Sequence, residues 1–129
     1  MAGTLVIKHY ETRSVRRVIF NWTSNASGTC TGQTKLVSGI VSKISFVPAS
    51  GINQPSGDYK VKILDEDGID IIQGYGFTGM SNEYPDAIVP QMNGLISGSA
   101  SLFVVDGKLN FEVVDSGNAK SGTVTVYLR

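Results

Sequence analysis

Apolar and polar positions alternate with a period of two along most of the chain, the mark of strands that bury one face. Leu5 and Ile7 share one side of the opening stretch, with Thr4, Val6 and Lys8 opposite. Val18, Phe20 and Trp22 form an apolar side against Arg17 and Asn21. Lys35 to Val47 reads as one long strand or two short ones. Tyr59, Val61 and Ile63 alternate with Lys60 and Lys62, and Leu109, Phe111 and Val113 with Asn110 and Glu112. At the end, Val124, Val126 and Leu128 alternate with Thr123, Thr125 and Tyr127. β-Branched and aromatic residues fill the apolar sides, as in half-buried strands. The expected core is Val18, Phe20, Trp22, Val61, Ile63, Leu109, Phe111, Val113, Val124 and Val126.

Turn chemistry separates the runs. Asp67-Gly68 divides Tyr59–Leu64 from Ile69–Ile72, and Asp106-Gly107 divides Leu102–Val105 from Leu109–Val114. Asp-Gly supplies the positive φ angles of tight hairpins, so a hairpin is expected at each. Residues 115–122 (DSGNAKSG) read as a longer loop. No stretch sustains a 3.6-residue period, and the 15 glycines disfavour helices. The expected fold is all-β: an antiparallel β-sandwich, jelly-roll-like, or a small barrel. One domain spans residues 1–129, with an N-terminal arm at 1–14.

Residues 74–98 break the rhythm. They contain Pro85 and Pro90, several glycines and no clear alternation, so one long loop is expected there. Yet they also carry Phe77, Met80, Tyr84, Ile88, Val89, Met92, Leu95 and Ile96, too apolar a set for a solvated connection. Two readings follow: the segment caps an open end of the core, or part of it docks on a partner.

Composition narrows the function. A chain of 129 residues can bury roughly two-thirds of its unfolded surface without staples. Lys plus Arg and Asp plus Glu each total 11, so the basic excess of a nucleic-acid binder is missing. Zero net charge also removes repulsion between copies, which suits assembly at high copy number. Cys30 is the only cysteine, so no intrachain disulfide can form. The start, MAGTLVIKHYETRSVRR, has no signal-peptide pattern, and no apolar run is long enough to span a bilayer. Synthesis in a bacterial cytoplasm and no membrane partner are expected. The sequons at Asn21 and Asn25 are then chance matches.

Chemical motifs are few. Gly74 to Gly79 fits G-x-G-x-x-G, but a dinucleotide site needs a helix to open at these glycines. MSNEYPDAIVP follows, and Pro85 would interrupt that helix. Asp65, Glu66, Asp67 and Asp70 could gather oxygens for calcium, but DEDGID lacks the length and terminal Glu of an EF-hand loop, so a solvated turn is expected. His9 and Cys30 have no ligand spacing for zinc, and a Cys–His nucleophilic pair rests on nothing but their presence. Arg13, Arg16 and Arg17 form the one dense basic patch: either the solvated start of a strand or an ion-pairing surface for an acidic partner. No catalytic activity, metal, nucleotide or other cofactor is expected.

Three stretches carry a family resemblance: the opening MAGTLVIKHYETRSVRRVIFNWTSNASG, the central YKVKILDEDGIDIIQGYG and the closing DSGNAKSGTVTVYLR. They resemble small virion proteins encoded beside the capsid genes of tailed bacteriophages. The resemblance implies a β-sandwich or jelly-roll cement protein that binds across capsomer boundaries as a dimer or trimer, and it transfers no motif residues. The expected function is therefore a capsid decoration protein of the virion, partnered by the major capsid protein or another virion protein and by copies of itself. A head–tail connector or tail component is the near alternative. A carbohydrate-binding module, with Trp22, Tyr10, Tyr59, Tyr75 and Tyr127 as stacking aromatics, is the alternative of a different class. Partner contacts are expected at Arg13, Arg16, Arg17, Phe77, Met80 and Tyr84, because Arg, Met and aromatic residues are enriched at interface cores. The edge of the Thr4–Tyr10 strand could also add to a neighbour's sheet.

Overall fold

The computed structural model describes residues 3–12, 15–72, 74–77, 79–88, 91–93, 100–102 and 104–129. Alternation becomes strands throughout, and no α-helix occurs among the described residues. The larger antiparallel sheet runs β1 (Thr4–Glu11), β2 (Arg16–Thr23), β11 (Ser121–Leu128), β4 (Val37–Pro48) and β6 (Asp86–Ile88). A further strand, β9 (Val104–Gly107), pairs with the first part of β4. Opposite lies a sheet of β3 (Cys30–Gln33), β10 (Asn110–Val114) and β5 (Lys60–Leu64). A separate pair joins β7 (Gln91–Asn93) to β8 (Ala100–Leu102). The two main sheets form a sandwich and do not close into the barrel that was the other expectation.

The core lies between the sheets. All ten expected core residues are buried, and Cys30, Val41, Ile44, Phe46, Tyr59, Ile71, Ile72, Met80, Val105 and Leu128 join them. Phe20 from the larger sheet stacks on Phe111 from the smaller, and Trp22 leans on Tyr59 at 5.6 Å between ring centres. Buried hydroxyls tie the ends together. Ser116 Oγ donates to the Gly28 carbonyl at 3.0 Å, and Thr34 Oγ1 accepts from the Leu109 N–H at 2.9 Å.

Several expectations change. Of the two readings for residues 35–47 the single strand holds: β4 pairs through Val37–Ile40 with β9 and through residues 41–48 with β11. Asp106-Gly107 is no hairpin. Gly107, at φ 128°, ends a strand of the larger sheet, and the chain then crosses to β10 in the smaller one. Asp67-Gly68 does make a tight turn, with the Asp65 N–H donating to the Ile69 carbonyl at 2.9 Å. No second strand follows it, because Ile71 and Ile72 both turn into the core and break the alternation a strand needs. The expected arm at 1–14 is largely strand β1, paired with β2 from Thr4 to Glu11.

Residues 74–98 also differ from a single long loop. Their described part holds a 3-10 turn (Tyr75–Phe77), an antiparallel bridge from Met80 to Tyr59, and strands β6 and β7. Burial explains the bridge: Met80 is 3% exposed and packs into the core. Val89, Leu95 and Ile96 lie outside the described residues, as do Arg13 and the side chain of Met92.

Candidate functional site

Within the basic patch, Arg16 and Arg17 do not share a face. They are neighbours on β2, so their side chains leave opposite faces of the sheet. Arg16 lies on the inward side, at the open end of the sandwich. There it lies so close over Gly39 that a Cβ at that position would be 2.6 Å from its guanidinium. With His9, Lys35, Asp106 and Leu128 it lines a cleft of about 240 Å³, which Tyr10, Glu11 and Arg17 also border. Burial, and then the nearby Lys35 charge, lower the pKa of His9 and favour its neutral form.

Arg17 takes the outer face. Register places Tyr10 of β1 opposite Arg17, Arg17 opposite Tyr127 of β11, and Tyr127 opposite Lys43 of β4. One row across four strands therefore reads Tyr–Arg–Tyr–Lys. The Arg17 guanidinium sits 5.1 Å from the Tyr10 ring centre, and the Lys43 ammonium 4.4 Å from that of Tyr127. Each cation thus covers an aromatic face, an attraction worth about 0.5–1 kcal/mol at an exposed site. Tyr10 and Lys43 are exposed, while Arg17 and Tyr127 are half-buried. Among the described residues neither cation has a carboxylate partner, since the one ion pair present joins Lys60 to Asp115.

The other expected contact residues are dispersed. Phe77 is 37% exposed beneath the Lys62 ammonium, which stands 4.7 Å from its ring centre. Tyr84 is 69% exposed, but Met80 belongs to the core and offers nothing to a partner. Of the aromatics proposed to stack sugars, Trp22 and Tyr59 are each 1% exposed. The cation of Arg17 or Lys43 occupies a face of Tyr10 or Tyr127.

Other motifs have structural roles. Gly76 lies against the Val61 carbonyl, where a Cβ could not fit, so the glycine pattern lets the chain approach β5 closely. Asp65 accepts from the N–H groups of Asp67 and Ile69, and Asp70 from those of Ile63, Ile72 and Gly74. Glu66 accepts from the Lys108 N–H at 3.1 Å. Asp65 and Asp70 thus spend oxygens on the backbone of their own turn and its flanks, and Glu66 on that of Lys108. Cys30 donates to the Thr4 carbonyl, and burial raises its pKa. His9 lies five residues further along β1, roughly 16 Å away at strand rise, so the two cannot form a nucleophilic pair.

No protein-family model and no curated protein sequence matches the chain. Sequence reasoning named Tyr10, Arg17 and Tyr127 for separate reasons and missed Lys43. Parity alone marks Lys43 as outward-facing, but its place beside Tyr127 depends on which strands pair.

Proposed function

We propose that this chain is a non-enzymatic structural protein of a tailed-phage virion that binds the capsid shell as a decoration protein. The three stretches that resemble such proteins support the virion assignment. The observation that carries a protein-binding role is the Tyr10–Arg17–Tyr127–Lys43 row, since Tyr and Arg are the residues that most often dominate binding energy. The free edge of β1 supports self-association. It is eight residues long and, among the described residues, pairs only with β2. An unpaired edge of that length is a template for a second copy. A homo-oligomer built this way would repeat each shell contact by symmetry.

Electron microscopy of purified particles tests the proposal. A regular lattice of this protein over the shell is the expected result. A ring at the tail vertex would replace it with a connector or tail role. Binding to neutral glycans by protein that is absent from every particle would replace it with a carbohydrate module.

A further inference from the structure

We infer that the outer face of the larger sheet, centred on Tyr10, Arg17, Tyr127 and Lys43, docks onto a carboxylate-rich protein surface. This rests on the proposed binding role and supplies its face and chemistry. The row crosses four strands, about 14 Å at the usual strand spacing. Its polar groups are two phenols, a guanidinium and an ammonium. All four donate hydrogen bonds, and only the phenol oxygens can accept. Such a set matches carboxylates, which accept only, and Arg can engage one through two parallel bonds.

Charge placement supports the same partner. Lys8, on the same outward side of β1, adds a third cation. Outward positions from β1 to β4 carry no Asp or Glu, although the chain has 11 such residues. Most acids lie in the turns and on other strands; Asp106 of β9, opposite Ser38, and Glu11 line the cleft that Tyr10 and Arg17 also border. Glu11, at the end of β1, has inward parity. No described carboxylate neutralises Lys8, Arg17 or Lys43. A cationic face on a chain of zero net charge is thus left for an external anion.

Other occupants fit less well. A second copy meeting face to face would oppose like charges. A duplex binder commonly neutralises roughly 6–10 phosphates, more than Lys8, Arg17 and Lys43 can serve. Base or sugar stacking needs open ring faces, and here a cation covers one face of each ring.

Titration of the purified full chain with fluorescent poly-L-glutamate at low salt tests the inference. Binding that weakens as salt rises is expected. Arg17→Gln with Lys43→Gln should weaken it at least about tenfold, the loss of a hot-spot pair. Tyr10→Phe with Tyr127→Phe keeps both rings and removes both donors, and should also weaken it. Lys62→Gln with Lys108→Gln, away from this face, should leave affinity within about twofold. Unchanged melting temperatures show that each variant folds. Equal binding by wild type and the Arg17/Lys43 variant would overturn the inference. So would row-dependent binding of single-stranded DNA as tight as that of poly-L-glutamate, or row-dependent retention on a neutral glycan. If microscopy finds wild-type and variant equally on the shell, the docking face is wrong and the decoration role stands. If the protein is on no particle, the decoration role fails and the titration still decides the face.

Discussion

Phe20 of β2 and Phe111 of β10 stack with ring centres 4.7 Å apart and planes within 9° of parallel. The two residues come from opposite sheets, and each is no more than 1% exposed. Their contact therefore spans the middle of the sandwich. Phe111→Ala is expected to lower unfolding free energy by about 3–5 kcal/mol, and Phe20→Ala by a similar amount. A double-mutant cycle in urea should give a coupling of about 0.5–1.5 kcal/mol. Strictly additive losses would mean that the pair contributes burial alone.

Met80 and Tyr84 separate core from surface within the 74–98 segment. Met80→Ala should cost about 2–5 kcal/mol, because Met80 fills the core beside its bridge to Tyr59. Tyr84→Ala should change stability by no more than about 0.5 kcal/mol. Chemical denaturation measures both, and a tolerant Met80 would place this segment outside the core.

Gly76 is needed for space. An added methyl would press on the Val61 carbonyl, so Gly76→Ala should destabilise by about 1–3 kcal/mol. Gly57 has no heavy atom within 4 Å of such a methyl, and Gly57→Ala should be close to neutral. Equal melting temperatures for the two variants would contradict this close approach.

Tyr59 sets an alkaline limit. Burial, and then the Asp86 charge, raise its pKa to about 12 from an ordinary value of 10. Above pH 10 the unfolded chain releases this proton while the folded chain holds it. Stability contributed by the neutral phenol is therefore present below pH 10 and is lost as pH rises toward 12. Tyr59→Phe should show a shallower loss over that interval in pH-dependent melting.

His9 acts at the acid end. Its folded pKa lies below the ordinary value of 6.5, so the unfolded chain binds the proton first as pH falls. Stability should decline as pH drops through and below 6.5, and be unaffected by His9 above it. His9→Gln should flatten that part of the profile. An identical slope in the variant would show that His9 titrates normally.

Side-chain parity is written into the chain locally. One buried face obliges apolar residues to recur at every second position, so Val18, Phe20 and Trp22, or Leu109, Phe111 and Val113, could be assigned to the core before any strand was paired. Partner choice is not local. Only the tertiary structure places β11 between β2 and β4, sends the chain across the sandwich after Asp106-Gly107, and turns Met80 inward among apolar neighbours that face solvent. The same holds for the Tyr10–Arg17–Tyr127–Lys43 row, whose members lie up to 117 positions apart (127 − 10). Backbone hydrogen bonding is nearly the same for any pair of strands, so neighbours are selected by how whole faces pack, which no short window of sequence records.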